Sequence, residues 1–233
     1  MYTGTFDGNG KSVYGLTAAL FGYTGEGAHI KDLTVYGSSG VSNVGGVCSQ
    51  GSGLFERCIN RMTVAATNLR VGGIIGILYT GGQIKDCANY GAISSAYKGL
   101  SSVETSKVYV GGIAGMSYGA ITGSFNAGSV TAGENYDGVG GIAGETTAMI
   151  SDCYNAGTVT GPSHTGGIVG IANNSSAAIV KNCYNIGTIN CISTYPNPST
   201  GTIAGTIANS SGTKIGSVEN CYFLKGTYSY TSG

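Results

Sequence analysis

Histidine, serine and acidic side chains are the groups of this sequence that could support hydrolytic chemistry. The chain has two histidines, His29 and His164, and Ser163 adjoins the second. A Ser-His-Asp triad needs a base within hydrogen-bond reach of the nucleophile and an acid that orients the base. Glu134 and Asp137 precede His164 by roughly one repeat of the pattern described below, so a chance cluster is conceivable. No spacing favours it, and the sequence predicts no catalytic residue.

Paired carboxylates, which hydrolyse glycosidic bonds, are not indicated either. The two carboxyl groups of such a pair lie about 5–10 Å apart. Asp32 and Asp86 share one column of the repeat, but Arg57 stands between them, and Asp152 is stacked near Asn182 rather than near another acid. We interpret these residues as surface charge pairs at the corners of strands.

The seven cysteines raise the question of a metal site or a disulfide framework. A metal site is not predicted, because the sequence has no Cys-x-x-Cys motif and neither histidine lies close to a pair of cysteines. Five cysteines recur at one repeat position, where stacked neighbours are about 4.8 Å apart, beyond the Cβ separation of about 3.5–4.5 Å in disulfides. We predict reduced, buried thiols in this column, with Cys48 and Cys191 outside it, and no cofactor.

The whole chain repeats one unit, of which residues 139–161 (VGGIAGETTAMISDCYNAGTVTG) are the clearest copy. The opening block recurs with first glycines separated by 27, 39, 29, 26 and 35 residues (Gly45, Gly72, Gly111, Gly140, Gly166 and Gly201). Three short apolar runs per unit, rich in β-branched residues, are separated by Gly, Asn and Asp. A short period with loop-sized additions predicts a solenoid.

We therefore predict an all-β, parallel β-solenoid with three short strands per coil and about seven coils. The coils start near residues 20, 44, 71, 110, 139, 165 and 200, after a leading segment at 1–19, and form one domain over residues 1–233. Insertions at 94–109 and 191–199 interrupt the period. They form either a binding face or neutral loop variation.

Stacking of the coils predicts inward columns of identical or similar side chains. One is aliphatic: Val47, Ile74, Ile113, Ile142, Ile168 and Ile203. Another holds the cysteines: Leu33, Cys58, Cys87, Ser124, Cys153, Cys183 and Cys221. A third column is asparagine, at Asn60, Asn89, Asn126, Asn155 and Asn185. These amides either bond to each other along the axis or tolerate a turn conformation.

Strand alternation then places the residue between the cysteine and asparagine columns outside. The direction is set by the first coil, where Leu33 and Val35 are apolar and Thr34 lies between them. The outward position carries aromatic residues in four coils: Phe125, Tyr154, Tyr184 and Tyr222. We predict this strip as the binding site, for sugar rings or a protein partner. The alternative is lateral packing between neighbouring strands.

The repeated units, together with the opening GTFDGNGKSVYGL…LFGY…IKDLTVYG, resemble GLUG repeats over nearly the whole chain, from Gly4 to about Leu224. Ser124 in the cysteine column and Thr202 at the second glycine depart from the pattern. The resemblance implies a right-handed coil and export, because such repeats occur in large secreted and cell-wall proteins of bacteria and near IgA-specific metallopeptidases. It implies no catalytic signature. We expect the chain to be part of a larger polypeptide.

Charge and hydropathy exclude other classes of partner. Lysine plus arginine and aspartate plus glutamate are both 11, and no basic stripe indicates a nucleic-acid surface. No apolar run reaches the roughly 18 residues of a membrane span. We predict a non-catalytic structural or adhesive solenoid, secreted or at the bacterial cell surface, that binds a host or matrix glycan or protein. The alternative is an accessory module of a secreted peptidase or polysaccharide-degrading enzyme.

Overall fold

Short β-strands are the regular elements of this protein. The computed structural model describes residues 1–40, 44–97, 108–133, 138–173, 179–193, 198–207 and 216–230. Within them the strands form three sheets, and strands from successive coils pair in parallel. The prediction of an all-β parallel β-solenoid is confirmed. None of the described residues forms a helix long and apolar enough to cross a bilayer.

Sheets 1 and 2 cover adjacent sides of the coil. Sheet 1 contains β2 (Phe21–Thr24), β4 (Cys48–Gly51), β9 (Ile75–Leu78), β14 (Ala114–Ser117), β19 (Ala143–Thr146), β24 (Val169–Ala172) and β29 (Ala204–Ile207). Sheet 2 contains β8 (Arg70–Gly72), β13 (Tyr109–Gly111), β18 (Gly138–Gly140), β23 (Thr165–Gly166) and β28 (Thr200–Gly201).

Sheet 3 covers the rest of the coil. Its longest strands are β1 (Thr5–Leu16) and β3 (His29–Ser39). In each later coil a pair of short strands follows: β5 (Leu54–Glu56) and β6 (Ile59–Asn60), β10 (Gln83–Lys85) and β11 (Ala88–Asn89), β15 (Ala120–Thr122) and β16 (Phe125–Asn126), β20 (Ile150–Ser151) and β21 (Tyr154–Asn155), β25 (Ile179–Lys181) and β26 (Tyr184–Asn185), and β30 (Ser217–Glu219) and β31 (Tyr222–Phe223). The residue of the cysteine column immediately precedes the second strand of each pair, and that strand carries the asparagine position. The next side is formed by β7 (Thr63–Ala66), β12 (Ile93–Ser95), β17 (Val130–Ala132), β22 (Val159–Gly161), β27 (Ile189–Cys191) and β32 (Tyr228–Tyr230).

A regular coil has five strands, β18 to β22 in the clearest copy, and the predicted three strands per coil is too few. The coil turns between β20 and β21 at Asp152, which has a φ of 57°. The same left-handed conformation recurs in seven coils (Asp32, Arg57, Asp86, Gly123, Asp152, Asn182 and Asn220). Glycine, asparagine and aspartate tolerate this conformation best. The stretch that the sequence predicts as one strand is therefore two strands, β20 and β21, separated by the corner residue Asp152.

The leading segment contributes one more layer to the stack. β1 pairs in parallel with β3, with Phe6 opposite Ile30 and Val13 opposite Val35. Tyr2 forms a parallel bridge to Thr24 at the edge of sheet 1. Residues 1–19 therefore wind in the same sense as the coils that follow.

The aliphatic column lies in the core as predicted. Its six side chains are at most 9% exposed. The backbone N–H of each of the first five residues donates to the carbonyl of the corresponding residue in the next coil at 2.8 to 3.1 Å (Val47 to Ile74, Ile113, Ile142, Ile168 and Ile203). Each buried aliphatic side chain of this kind contributes about 1.5–3 kcal/mol from the hydrophobic effect.

The cysteine column is held by a hydrogen bond that a hydroxyl can also make. The Cys153 thiol donates to the carbonyl of Ser151, two residues earlier, at 3.1 Å. The hydroxyl of Ser124 donates to the carbonyl of Thr122 at 3.0 Å, which explains why serine fits this column. All seven cysteines are free thiols, and all but Cys221 are buried.

The asparagine column is a continuous hydrogen-bonded ladder, which confirms the first of the two predicted alternatives. Each Nδ2 donates to the Oδ1 of the next asparagine at 2.7 to 2.8 Å (Asn60 to Asn89, Asn126, Asn155 and Asn185). Each Nδ2 also donates to the carbonyl two residues later, as from Asn155 to Gly157 at 2.8 Å. Each Oδ1 accepts the backbone N–H of that same residue. The interior amides are completely buried and use both of their donors and both acceptor sites.

The second glycine of each opening block makes room for this ladder. A Cβ at Gly141 would lie 2.4 Å from Cγ of Asn155 and 2.2 Å from the carbonyl oxygen of Gly167. The coils without a ladder asparagine also lack the glycine. In the last coil, Thr202 replaces the glycine and Phe223 replaces the asparagine. The pairing of β29 with β24 and of β31 with β26 establishes both equivalences. The glycine and the asparagine thus form one structural unit.

Replacing Asn126 by aspartate should strongly destabilise the stack. The carboxylate cannot donate to Gly128 or Asn155, and a buried charge that has lost its partners costs about 3–5 kcal/mol. Asn220, exposed and in the left-handed conformation, is the matched control, and Asn220→Asp should cost under about 0.5 kcal/mol. Urea denaturation measures both. Equal midpoints for the two variants would mean that the amides are not coupled.

Thiol titration should separate Cys221 from the other six cysteines. Cys221 is half-buried and the rest are buried, and burial raises the pKa of the Cys48 thiol to about 11. We expect a disulfide reagent at pH 8 to modify one thiol per native chain and all seven after denaturation. Cys221→Ser should abolish the native reaction and keep the fold, because Ser124 already occupies an equivalent position. Rapid reaction of several thiols in the native protein would contradict this burial.

Candidate binding surfaces

The four predicted aromatic residues lie in one column on the outside of sheet 3. Phe125 pairs with Tyr154, Tyr154 with Tyr184, and Tyr184 with Tyr222. The flanking cysteine and asparagine columns are buried, apart from half-buried Cys221. The structure therefore agrees with the predicted alternation. It brings all four residues together.

The first three rings of this column are stacked on one another. The centroids of Phe125 and Tyr154 are 4.7 Å apart with planes inclined by 4°, and those of Tyr154 and Tyr184 are 4.9 Å apart at 3°. Parallel rings at this spacing cover each other's faces, a favourable aromatic arrangement. Phe125 and Tyr154 therefore present ring edges to the outside. Their geometry matches the alternative of packing between strands more closely than that of a platform for sugar rings.

Two residues that the sequence did not indicate extend the column toward the N-terminus. The Tyr90 ring packs edge-on against Phe125, with centroids 5.5 Å apart and planes at 88°. The guanidinium of Arg61 lies 4.3 Å from the centre of the Tyr90 ring. The available signal was Ala88, a small residue at the outward position that leaves room for the ring of Tyr90. Arg61 is thus a cation–π partner.

The C-terminal end of the column opens into an apolar groove. Tyr184 is 42% exposed and Tyr222 is 71% exposed. Together with other side chains of the last two coils they line a groove of about 370 Å³ (Tyr184, Asn185, Ile186, Tyr222, Phe223 and Leu224). Ile186, Phe223 and Leu224 were not predicted as site residues. The signal for them was the loss of the ladder asparagine in the last coil, which puts Phe223 at that position.

Asp32 and Glu56, two acidic residues of the first coils, belong to an ion-pair cluster. Arg57 donates to both carboxylate oxygens of Asp32, through Nε at 2.6 Å and Nη2 at 2.9 Å. Its Nη1 lies 2.7 Å from Glu56, and Glu56 lies 3.0 Å from Nε2 of His29. The bond from Arg57 holds the pKa of Asp32 below its usual value. A carboxyl group with a lowered pKa and a fixed cation is suited to a structural role and not to that of a general acid.

The second histidine is also used in a local contact. His164 Nδ1 lies 2.6 Å from the hydroxyl of Thr206. Glu134 and Asp137, the acids of the conceivable triad, lie outside the described residues, as do 98–107 and 194–197 of the two insertions. Within the described ranges, no group of three metal-ligating side chains converges.

One buried carboxylate stands outside these clusters. Glu145 is 3% exposed on the outer side of sheet 1 and accepts a hydrogen bond from Asn173 at 2.8 Å. Burial, followed by the neighbouring Glu145 carboxylate, raises the pKa of Tyr109. Tyr109, Met116 and Ile171 pack together around it. The repeat gave no signal for this residue, because its position is occupied by Met116 and Ile171 in the adjacent coils.

Comparison with known proteins supports the fold. No protein-family model and no curated protein matches the sequence, so the resemblance to GLUG repeats stays a prediction. A crystal structure of a Bacteroides ovatus protein, described as a candidate immunoglobulin A1 protease, superposes with a TM-score of 0.64 at 20% identity, over 93% of this chain and 68% of that chain. An identity this low shows the fold alone. By its architecture, this chain is an all-β parallel β-solenoid.

Proposed function

We propose that this chain is a non-catalytic solenoid module that binds a protein partner through the apolar groove at its C-terminal end. The observation that carries the proposal is the concentration of exposed apolar side chains there. Tyr184, Ile186, Tyr222, Phe223 and Leu224 are all exposed and border one groove. Apolar patches of this kind commonly mark interaction sites in proteins.

The lining of the groove favours a protein over a glycan. Apart from the hydroxyls of the two tyrosines, the polar side chain of the lining is that of Asn185, which is buried and already donates to Gly187. A sugar needs several hydrogen-bonding groups at its rim, whereas the centre of a protein interface is rich in aromatic and aliphatic side chains. The proposed partner is a host or matrix protein that presents an apolar side chain or loop.

The same proposal includes the setting of the module. The resemblance to GLUG repeats supports a bacterial protein that is secreted or held at the cell surface, as part of a larger polypeptide. Both histidines, and Asp32 and Glu56 among the acids, take part in local structural contacts, which supports a role in display and adhesion. The reduced thiols are compatible with this setting, because their column geometry keeps them from pairing.

A paired substitution in the groove tests the binding role. Tyr184→Ala combined with Tyr222→Ala removes two exposed rings, so we expect binding to immobilised matrix proteins or immunoglobulin to fall at least tenfold, with the melting temperature within a few degrees. Surface plasmon resonance on a panel of these proteins measures the change. Tyr14→Ala is the matched control, because Tyr14 is also 71% exposed but lies on β1. Undiminished binding by the double variant would place the site elsewhere.

The likeness to the Bacteroides ovatus protein supports a second candidate, an accessory module of a secreted peptidase. In this role the solenoid positions a catalytic domain that lies elsewhere in a longer protein. We expect the purified chain to bind immunoglobulin A1 without cleaving it, as assayed by electrophoresis of the heavy chain after prolonged incubation. Cleavage by the purified chain would contradict the absence of catalysis. If the cleavage survives His164→Ala, His29→Ala and metal chelation, neither histidine is catalytic. Cleavage lost in either variant would make that histidine catalytic.

A further inference from the structure

A second groove lies at the other end of the stack, on the outside of sheet 1. It has a volume of about 440 Å³ and is lined by residues of the first coils and of the segment that follows β9, among them Tyr23, Glu26, Ser52, Tyr79 and Thr80. Ligand sites in proteins usually have volumes of about 300–1,000 Å³. The two tyrosines come from different coils and from outside the repeated aromatic column.

The two rings are arranged differently from those of the aromatic column. The centroids of Tyr23 and Tyr79 are 6.1 Å apart, and their planes are inclined by 42°. Rings with this tilt do not cover each other's faces as the parallel rings of Phe125 and Tyr154 do. Tyr23 is 40% exposed. Aromatic faces thus remain accessible from the groove.

A hydrogen bond fixes one of these rings. The hydroxyl of Tyr79 donates to Oε1 of Gln50 at 3.0 Å, and Gln50 is the direct neighbour of Tyr23 in the sheet. Because Gln50 lies between the two tyrosines in the stack, it ties the orientation of the Tyr79 ring to the strand that carries Tyr23. The aromatic pair is therefore held in place before any ligand arrives.

Polar groups surround the rings. The lining includes the hydroxyl-bearing residues Ser52 and Thr80 and the carboxylate of Glu26, which is exposed. Glu26 has no ion-pair partner among the described residues. The lining contains neither lysine nor arginine, but Met1 with its α-amino group also lines the groove. The groove thus combines aromatic faces with hydrogen-bond acceptors and one carboxylate that is not ion-paired.

We propose that this groove is a saccharide subsite that takes a neutral sugar residue, including an N-acetylated amino sugar. The C–H face of the ring packs on Tyr23 and Tyr79, and the carboxylate of Glu26 accepts hydrogen bonds from sugar hydroxyls. Because the carboxylate of Glu26 is not ion-paired, it repels the carboxylates of sialic and uronic acids, so anionic sugars bind more weakly than neutral ones. The subsite adds glycan recognition to the protein-binding role proposed above, and the two sites use different residues at opposite ends of the stack.

The experiment compares neutral and anionic sugars on the intact chain. Isothermal titration calorimetry and saturation-transfer NMR with lactose, mannotriose and N-acetylchitotriose should show saturable binding to at least one of them. Sialyllactose, which adds one anionic residue to lactose, should bind more weakly than the best neutral sugar. Tyr23→Ala combined with Tyr79→Ala should lower the affinity at least tenfold.

Three further variants separate recognition from folding. Glu26→Gln should weaken the binding of neutral sugars severalfold and reduce the difference in affinity between them and sialyllactose. The protein should stay equally stable, because this position is exposed. Tyr79→Phe keeps the ring but loses the bond to Gln50, so it should bind less tightly than the wild type and more tightly than Tyr79→Ala. Tyr118→Ala is the matched control, because Tyr118 occupies the position of Tyr79 in the next coil, where its backbone N–H donates to Leu78 as that of Tyr79 does to Gly51.

Four results would overturn the subsite. The first three are no saturable binding of any neutral sugar, unchanged affinity in both the tyrosine and Glu26 variants, and tighter binding of sialyllactose than of lactose. The fourth is loss of sugar binding in the Tyr184→Ala, Tyr222→Ala variant while the Tyr23→Ala, Tyr79→Ala variant still binds. The last result would leave the C-terminal groove as the binding site. Conversely, sugar binding lost only in the Tyr23 and Tyr79 variants supports the subsite even if no protein partner binds the other groove.

Discussion

The buried ladder of asparagine amides is the constraint on which the rest of this structure depends. Five completely buried amides are tolerable only because each finds its neighbour at 2.7 to 2.8 Å; a buried amide without partners is strongly unfavourable. A shift of one coil by a single residue would break the bonds that its asparagine makes to the coils on either side. The ladder therefore sets the register, and the register stacks the aliphatic, cysteine and aromatic columns. It also requires the facing glycines, since a Cβ at Gly141 would collide with Asn155.

Much of the fold could be predicted from the sequence because a stacked repeat converts spacing into contact. The positions of Asn126 and Asn155 in two copies were enough to place them one above the other, and apolar Leu33 and Val35 were enough to turn Tyr154 outward. The strand count was not predictable in the same way. The corner at Asp152 depends on a left-handed φ, and an aspartate in the sequence does not reveal whether it adopts one.

The candidate sites were less accessible to this reasoning, because they arise where the repeat fails. Interior rings such as Tyr154 stack face to face on their neighbours, and interior amides have all their donors and acceptors hydrogen-bonded. Phe223 occupies the asparagine position of the last coil, and Tyr23 and Tyr79 come from different positions of two different coils. Contacts between side chains at different positions of neighbouring coils, such as that of Tyr90 with Phe125, cannot be derived from the spacing of the repeat alone. Regular coils supply the scaffold, and irregular ones supply the surfaces that a ligand can contact.

The ladder also gives the stack a direction. Every Nδ2 donates toward the C-terminal coil, from Asn60 to Asn89 and onward to Asn185, so the amide dipoles are aligned head to tail along the axis. An inverted coil inserted between two of these layers would set oxygen against oxygen on one side and N–H against N–H on the other. The apolar residues Val35 and Phe223 occupy the ladder position before the first amide and after the last. The stack of coils is thus polar along its axis, and a coil added within the ladder must run in the same direction as its neighbours.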